Sequence, residues 1–436
     1  MTEKISIIGI GRVGLPLGLA FAEKGYYIYG VDVDKNRVLL VNSGKMPFLE
    51  EGADTLLEKH VGKSLIATND LLHATKESKT IILTLGTPVD EHLNPIFTQI
   101  ENVIKSIVSV LSPGQMIILR STVSPGTTEY IKRYIEKNTK LKIGEDIFLA
   151  FCPERIAEGK SIEEIPAIPQ LIGTLDKKSA EKAEELFKKL TDKIIHSDAR
   201  SVELAKLYCN MYRYINFAIA NEFMMIAQQH ERDIYEIVNL VNKDYKRKGL
   251  KSPGFTAGPC LYKDGFFLVN KTPFAELITT SWKINESVPA YLIEEIKKQI
   301  NLVDKKVAIL GLSFKKNIDD NRNSLSYKAR KIFIAEGARV ALHDPFIEPG
   351  DLNSVMKGAD VVLIAMNHDK YNELTLEKIR ELTNKETIVC DIWNMFGSGK
   401  IITKTGTPSA SEILQDAALR QAREKKEAES QSKSQL

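Results

Sequence analysis

Short apolar runs rich in β-branched residues alternate with longer amphipathic stretches along the first half of the chain. The runs predict strands at Ile5–Ile10, Ile28–Asp32, Thr80–Leu85, Met116–Arg120 and Ile147–Phe151. Helical spacing marks the stretches between them, such as Gly14–Lys24 and Ile96–Leu111. This alternation is typical of βαβ units wound around a parallel sheet.

A second series of the same kind begins at Lys306, with the apolar runs VAILGL, VALHDP, VVLIAM and TIVCDIW. Between the two series, Ser201–His230 lacks Gly and Pro and has apolar residues on several sides, which predicts one long helix packed on two faces. Gly and Pro interrupt the cysteine loop, residues 249–265, so we expect an irregular segment with a functional role. The charged end from Gln421 predicts a frayed helix that runs into a disordered tail.

These patterns predict an α/β protein in which two Rossmann-like doubly wound domains are joined by a long central helix. We expect the first domain at residues 1–199, a central helical region with the cysteine loop at 200–300, the second domain at 301–415 and a tail at 416–436. A chain of 436 residues is longer than one hydrophobic core usually organises, which agrees with several domains.

Composition narrows the class of protein. A net charge of +3 from 60 basic and 57 acidic residues is too balanced for a dedicated nucleic-acid binder. No apolar run approaches the roughly 18 residues that cross a bilayer, and glycines interrupt the first run, so we expect neither a membrane span nor an export signal. The four cysteines lie far apart without a CxxC pair, which predicts reduced thiols, a cytoplasmic location and no metal site.

A glycine-rich turn, residues 9–14 (GIGRVG), stands between the first predicted strand and the first predicted helix. In a GxGxxG turn, Gly9 would permit the tight bend, Gly11 the approach of a pyrophosphate, and Gly14 close packing of helix on strand. The N-terminus of the helix would offer unpaired N–H groups to the phosphates. The turn therefore predicts a dinucleotide site.

Asp32 ends the second predicted strand, at the spacing expected for a carboxylate that binds a ribose. Such a carboxylate accepts hydrogen bonds from the ribose hydroxyls and repels a 2′-phosphate, so NAD is favoured over NADP. Arg37 could pair with a 2′-phosphate, but Asp32 opposes one. The alternative is that Asp32 is a solvated loop acid.

Cys260 lies in the cysteine loop between glycines and charged residues, which argues against burial in an apolar core. A thiol near a lysine or a helix N-terminus has a lowered pKa and is a competent nucleophile, and we expect this of Cys260. The alternative is a small buried hydrophobic residue.

Two further groups of polar residues are candidates. Lys206, Asn210 and Arg213 are spaced i, i+4 and i+7 on the long helix, so they share one stripe, which faces either a cleft or solvent. Glu154 and Arg155 follow a predicted strand and a proline, on a loop where catalytic groups often lie. The alternative for these two is a surface ion pair.

Seven motifs in this order resemble the nucleotide-sugar 6-dehydrogenases of the UDP-glucose/GDP-mannose type, from Lys4 to about Gly399. They are GIGRVGLP, residues 120–128, residues 152–155, residues 203–207 with Asn210, Asn221-Glu222, the cysteine loop, and residues 311–315 with Asp319, Asp320 and Arg322. The run GFTAGPC before the thiol is most similar to the members that act on UDP-N-acetylmannosamine. Members that act on UDP-glucose more often carry a Gly-Gly pair there.

The resemblance implies an enzyme that oxidises the C6 alcohol of a UDP-sugar to a carboxylate with two NAD, for a surface polysaccharide or glycan precursor. It implies a Cys260 thiohemiacetal and thioester, with Lys206 and Asn210 stabilising oxyanions and Asp264 or Glu154 activating water. The implied cofactor contacts are Gly9, Gly11, Arg12, Val13, Gly14, Asp32, Arg37, Thr87, Thr122 and Arg322. The implied substrate contacts are Arg155, Ile156, Lys206, Asn210, Arg213, Arg247, Ala257, Lys315 and Lys316. It also implies a homodimer through the central helix, possible further pairing of dimers, and UDP at the second domain.

Three alternatives remain at this point. The substrate could be UDP-glucose or UDP-N-acetylglucosamine. The chain could be a two-electron dehydrogenase of the β-hydroxyacid type, which would tolerate loss of Cys260, or a non-catalytic sensor on the same scaffold. The ratio of NADH formed to sugar consumed separates three classes of protein. It is two for a four-electron dehydrogenase of any of these UDP-sugars, one for the two-electron dehydrogenase and zero for the sensor.

Overall fold

The computed structural model describes residues 2–269, 272 and 274–406. The predicted tail at 416–436 lies outside the described residues. The chain divides into two compact units. The first unit contains the described residues up to Ile215 together with those of Pro259–Thr280, and the second contains Asn216–Gly258 and the described residues from Ser281 onward.

The first unit is built on an eight-stranded sheet. Its strands are β1 (Lys4–Ile8), β2 (Tyr27–Val31), β3 (Leu65–Thr68), β4 (Thr80–Leu83), β5 (Met116–Leu119), β6 (Phe148–Phe151), β7 (Gln170–Thr174) and β8 (Ile194–Asp198). They lie in the order β3-β2-β1-β4-β5-β6-β7-β8. All neighbours are parallel except β6 and β7. The first six positions of this order are those of a dinucleotide-binding Rossmann sheet.

Helices cover both faces of the first sheet. They are α1 (Gly14–Glu23), α2 (Lys35–Asn42), α3 (Ala53–His60), α4 (Leu71–Glu77), α5 (Thr98–Ile107), α6 (Thr127–Asn138), α7 (Ser161–Ala167) and α8 (Lys177–Phe187), with a 3-10 turn at Val108–Val110. Ile82 and Ile118 pack with α1, whereas their neighbours Ile81 and Ile117 pack with α5. The two apolar faces follow from the alternation of side chains along a strand.

Five more helices lie in the middle of the described chain, between β8 and β9. The long helix α9 (Ala199–Gln229) passes from the first unit into the second, and α10 (Ile234–Asn242) follows it. Two short helices follow Cys260, α11 (Leu261–Asp264) and α12 (Phe266–Val269), and α13 (Glu276–Lys297) comes next. The expectation of an irregular cysteine loop is therefore wrong for residues 261–264, because the amide N–H of Asp264 reaches the carbonyl of Cys260 at 3.0 Å and closes a helical turn.

The second unit is built on a five-stranded sheet. Its strands are β9 (Lys306–Leu310), β10 (Arg339–His343), β11 (Val361–Ile364), β12 (Ile388–Asp391) and β13 (Ile402–Lys404), in the order β10-β9-β11-β12-β13. The first four are parallel and β13 is antiparallel to β12. Its remaining helices are α14 (Leu325–Ala335), α15 (Leu352–Met356) and α16 (Leu376–Leu382), with a 3-10 turn at Asp369–Tyr371.

The predicted fold class is confirmed, because both sheets are predominantly parallel, both are covered by helices, and α9 is a long central helix. Four of the five strands predicted in the first unit end one or two residues earlier than predicted, and the fifth ends at Phe151 as predicted. β1 stops at Ile8 because Gly9, with φ of 98°, turns the chain out of the strand. No helix among the described residues is long and apolar enough to cross a membrane. The domain limits given above stay a prediction.

Candidate active site

The glycine turn after β1 has the shape that a dinucleotide requires. Gly9 has φ of 98°, and a Cβ there would lie 2.9 Å from the carbonyl oxygen of Thr84. A Cβ on Gly14 would lie 2.0 Å from the carbonyl oxygen of Gly9. A Cβ on Gly11 would meet no atom within 4 Å, so the backbone at Gly11 faces open space. Two glycines thus serve the fold, and the third leaves room for a ligand's phosphates.

The start of α1 supports the same interpretation. Val13 precedes the helix and has no side-chain group that could cap it, and the first turn carries no acidic residue. The positive end of the helix dipole is therefore directed at the turn. Asp32 is nearly buried, and its carboxylate accepts from the amide of Ile10 at 3.1 Å and from Nη1 of Arg37 at 2.8 Å. These residues fit NAD, with the carboxylate placed beside the turn.

Arg12, at the tip of the turn, forms an ion pair with Glu158 on the loop between β6 and α7. Its Nε lies 2.8 Å from Oε1 of Glu158, and its guanidinium stacks over the ring of Phe48 with 5.1 Å to the ring centroid. Sequence reasoning chose Glu154 from this loop and missed Glu158, although Glu158 lies only four residues further on.

A second cluster joins the long helix to the short helix after the thiol. Lys206 and Asn210 are both buried on α9. Nδ2 of Asn210 donates to Oδ2 of Asp264 at 2.6 Å, and Asp264 is fully buried. Nζ of Lys263 donates to the other oxygen of Asp264 at 2.9 Å and approaches Oγ1 of Thr87 at 3.4 Å. The predicted residues Asn210, Asp264 and Thr87 are thus connected through Lys263, which the sequence analysis did not select.

Cys260 is the residue before α11, and its carbonyl oxygen accepts the amide N–H of Asp264 at 3.0 Å, so it lies next to this cluster. The residue keeps access to solvent, but protein packed around the thiol raises its pKa by desolvation. The carboxylate of Asp264 raises the pKa further, while the ammonium groups of Lys263 and Lys206 lower it, and Glu158 raises it weakly. The expected lowering of the thiol pKa is therefore wrong, because desolvation and Asp264 outweigh the two lysines.

Arg213, the third residue of the predicted polar stripe, is exposed on α9, unlike Lys206 and Asn210. The stripe therefore divides, with two residues at the cluster and one at the surface. Thr122 is half-buried on the loop after β5.

Glu154 lies in a buried ion pair rather than at the surface. It accepts from Nη2 of Arg120, whose Nη1 donates to the carbonyl oxygen of Cys152 at 3.1 Å. The other carboxylate oxygen accepts from the amides of Arg155 at 2.8 Å and Ile156 at 3.1 Å. The Arg155 side chain in turn donates to the carbonyl of Pro169. Glu154 therefore fixes the loop that carries Arg155 and Ile156.

Glu50 fixes the end of the same loop. Its two carboxylate oxygens accept from the amides of Gly159 at 3.2 Å and Ser161 at 2.5 Å. Because Glu158 lies between the residues that Glu154 and Glu50 bind, its position relative to the thiol depends on both carboxylates. No motif in the sequence pointed to Glu50.

The remaining predicted contacts belong to the second unit. Lys316 is exposed, and its Nζ lies 2.5 Å from Oδ1 of Asp369. Nε of Arg322 donates to both oxygens of Asp320 at 2.9 Å. Lys315 is half-buried, Ala257 is buried, and Arg247 is exposed, with its guanidinium 5.5 Å from the ring centroid of Tyr245. Within the described residues, no group of three or more His, Cys, Asp or Glu side chains could hold a metal ion.

Comparison with known proteins gives a consistent picture. Three sequence models of the UDP-glucose/GDP-mannose dehydrogenase family match the chain: the NAD binding domain at residues 3–191, the central domain at 200–287 and the UDP binding domain at 308–398.

Individual relatives match over most of their length. The chain is 34% identical to the UDP-N-acetyl-D-mannosamine dehydrogenase of Methanocaldococcus jannaschii, over 90% of this chain and 92% of that protein. It is 29% identical to the NDP-N-acetyl-D-galactosaminuronic acid dehydrogenase of Ralstonia solanacearum, over 86% of this chain and 93% of that protein. The solved structure of UDP-D-ManNAc dehydrogenase from Pyrococcus horikoshii superposes with a TM-score of 0.83 at 31% identity, covering 88% of this chain and 93% of that one.

Proposed function

The chain belongs to the UDP-glucose/GDP-mannose dehydrogenase family, and from that premise we propose that it oxidises UDP-N-acetyl-D-mannosamine at C6 to the uronate. The family makes it an NAD-dependent UDP-sugar dehydrogenase. The choice of sugar is supported by relatives named for N-acetylmannosamine and by the GFTAGPC run before the thiol. The observation that carries the four-electron mechanism is the cluster of Lys206, Asn210 and Asp264 beside Cys260.

Lys206 and Asn210 act in the first oxidation. NAD, when bound, accepts a hydride in each of the two oxidation steps. As the C6 alcohol loses its proton and a hydride leaves C6, negative charge develops on the alcohol oxygen. A buried ammonium and a buried amide N–H donor stabilise such an oxygen more strongly than water does, because the site has a low dielectric.

Cys260 holds the product of the first step. Its sulfur adds to the aldehyde carbon, the carbonyl oxygen takes up a proton, and a thiohemiacetal forms. A second hydride then leaves the same carbon while the hydroxyl loses its proton, which gives a thioester. Water adds to the thioester carbon, the carbon–sulfur bond breaks, and the products are the carboxylate and the restored thiol. Two NAD are consumed for each acid formed.

The local charges suit this sequence of steps. Burial and the carboxylate of Asp264 raise the pKa of the Cys260 thiol, so a base must receive its proton when the sulfur attacks. We assign proton transfer and water activation to Asp264, and we assign to Glu154 the support of the neighbouring loop as well as the role of alternative base. Lys206 serves each oxyanion in turn, because every negative oxygen in the scheme develops on C6.

We also propose that the protein is a homodimer through α9. Five large side chains on one stripe of this helix are 38–73% exposed: Tyr208, Tyr212, Ile219, Phe223 and Ile226. A row of exposed apolar residues at helical spacing is typical of a protein interface. Sedimentation of the full chain tests this, and a monomer at micromolar concentration would contradict it. We propose as well that the protein acts in the cytoplasm and that its product is a precursor of a surface polysaccharide or glycan.

An assay with several UDP-sugars tests the function. The full chain is incubated with NAD and, separately, with UDP-N-acetylmannosamine, UDP-N-acetylglucosamine, UDP-N-acetylgalactosamine, UDP-glucose or UDP-galactose. We expect the highest kcat/KM with UDP-N-acetylmannosamine and two NADH for each sugar consumed. A ratio of one would exclude the thioester route, and a preference for another sugar would change the substrate but keep the chemistry.

A further inference from the structure

A buried polar cluster, which we call the His368 cluster, lies at the carboxyl ends of three adjacent strands of the second sheet. It consists of Ser313 after β9, Asp344 after β10 and His368 after β11, all nearly or fully buried. The strand order β10-β9-β11 changes direction between β9 and β11. In open α/β sheets, ligands bind outside the carboxyl ends of the strands at such a point.

His368 bonds through both ring nitrogens. Nδ1 accepts from the amide N–H of Asn317 at 2.9 Å. Nε2 lies 3.1 Å from Oδ2 of Asp344 and 3.1 Å from Oγ of Ser313. Since a ring nitrogen that accepts an amide N–H carries no proton, the proton of the neutral imidazole is on Nε2 and is donated to Asp344. This geometry selects one tautomer and one ring orientation.

Asp344 connects the imidazole to the backbone of two loops. Its Oδ2 also accepts from the amides of Leu312 at 2.6 Å and Ser313 at 3.1 Å. Its Oδ1 accepts from the amides of Phe346 at 2.8 Å and Ile347 at 3.1 Å. The carboxylate thus binds the beginning of the lysine loop, which we define as residues 312–317, and His368 binds its end.

A second set of bonds closes the far end of the lysine loop. Nδ2 of Asn317 donates to Oδ2 of Asp369 at 2.5 Å, and the amide of Asp369 donates back to Oδ1 of Asn317 at 3.0 Å. Asn317 has φ of 59°, a left-handed conformation that the bonds on both its backbone and its side chain maintain. The loop that carries Lys315 and Lys316 is therefore fixed at both ends by buried or paired groups.

We propose that His368 is a positioning residue for the uridine diphosphate of the substrate, because it fixes the lysine loop before the substrate binds. This inference rests on the proposed function and on the expectation from the sequence that Lys315 and Lys316 contact the UDP-sugar. A loop that is already ordered loses little conformational entropy on binding, so preorganisation strengthens affinity without any contact between His368 and the ligand. His368 acts through the amide of Asn317.

Binding of UDP alone to the full chain, measured by calorimetry, tests the proposal with two matched variants. His368→Asn places an amide oxygen near the position of Nδ1 and keeps the acceptor for Asn317. His368→Gln places its amide nitrogen near the position of Nε2 and keeps the donor to Asp344, but loses that acceptor. We expect His368→Gln to weaken UDP binding about tenfold, the effect of losing one buried hydrogen bond, and His368→Asn to restore most of the affinity.

Steady-state kinetics distinguish a role of His368 in positioning the lysine loop from a general disruption of the protein. His368→Gln should raise KM for the UDP-sugar and leave KM for NAD and kcat at saturation unchanged. A control variant, His196→Asn, changes a histidine on β8 of the first sheet that is exposed and should alter none of these values. Equal UDP affinity in wild type and His368→Gln would overturn the inference and leave the proposed function intact. A wild-type chain that binds no UDP would overturn both.

Hydrogen exchange on the wild-type chain provides a test that needs no variant. The amide of Asn317 should exchange slowly before UDP is added, because Nδ1 of His368 already holds it. Fast exchange that becomes slow only with UDP would show that the ligand orders the loop, and would overturn the inference.

Discussion

The first strand of each sheet leads into a similar glycine turn with a carboxylate beside it, but the two carboxylates have different partners. In both sheets, the first strand is followed directly by a glycine with positive φ, 98° at Gly9 and 91° at Gly311. Each glycine amide donates to the carbonyl at the end of the neighbouring strand, at 2.7 Å and 2.8 Å respectively. In both, a carboxylate one residue past that neighbouring strand accepts the amide N–H that follows the glycine, Asp32 in the first sheet and Asp344 in the second.

The difference lies in what else the carboxylate binds. Asp32 keeps 8% of its surface exposed, and its side-chain partner is Arg37, which is itself partly exposed. Asp344 has no exposed surface and is surrounded by four backbone amides and His368. Asp32 is therefore available to a ribose, whereas Asp344 is fully used in holding a loop. We therefore infer that the same strand–turn–carboxylate arrangement binds a ligand in the first unit and holds a loop in the second.

Removing the carboxylate of Asp344 should have the largest effect. Asp344→Ala leaves buried amides and His368 without their acceptor, so we expect the free energy of unfolding of the second unit to fall by about 3 kcal/mol. Both tryptophans, Trp282 and Trp393, belong to the second unit, so urea unfolding followed by their fluorescence reports on it.

A matched control for this variant lies in the same unit. Asp351 caps α15 and also accepts two backbone amides, but it is exposed, so Asp351→Ala should destabilise the second unit much less than Asp344→Ala does. Equal losses for Asp344→Ala and Asp351→Ala would contradict the scaffold role.

Acid should produce a smaller effect on the second unit. Burial alone would raise the pKa of Asp344, but hydrogen bonds from His368 and the amides of Leu312 and Phe346 outweigh it and lower the pKa to about 2. A carboxyl with a lowered pKa stabilises the fold above its ordinary pKa of 3.8, and this contribution is lost as the pH falls towards 2. We expect a loss of about 2 kcal/mol over that range, by tryptophan fluorescence. An Asp344→Asn variant whose stability declines equally over this range would contradict the assignment.

The smallest effect should come from filling the open space at Gly11. Gly11→Val adds atoms where no protein atom lies within 4 Å, so stability should be unchanged while NAD binding weakens about tenfold or more. Gly350→Val, at another open position in the second unit, should change neither quantity. Tight NAD binding by Gly11→Val in a fluorescence titration would place the pyrophosphate elsewhere.

Much of the fold follows from local pattern. The central strands β1, β4, β5 and β6 are short, apolar and buried, so their composition alone predicts them. Strands at or near the sheet edges, β3, β7, β8 and β13, were not predicted. β8 is largely exposed and polar, and a strand without a buried face has no alternation of apolar residues to identify it.

The candidate site also contains some residues that a sequence pattern predicts and others that it does not. The sequence points to Cys260, Asn210 and Asp264 as candidates because they stand in recognisable motifs. Lys263 and Glu158 were missed, because their roles come from neighbours far away in sequence, Thr87 at 3.4 Å and Arg12 at 2.8 Å. The direction of the Cys260 pKa could not be predicted either, since it depends on how tightly protein surrounds the thiol. Sequence therefore points to candidate reacting groups more readily than to the residues that surround them.

The most direct test of the account is acid formation by Cys260→Ala, compared with Cys209→Ala, which removes an exposed thiol from α9. Both variants should bind NAD as the wild type does, and Cys209→Ala should form the uronate at the wild-type rate. The account predicts that Cys260→Ala forms no uronate above background, because no sulfur is present to hold the aldehyde for the second oxidation. Uronate formation by Cys260→Ala at the wild-type rate would contradict it.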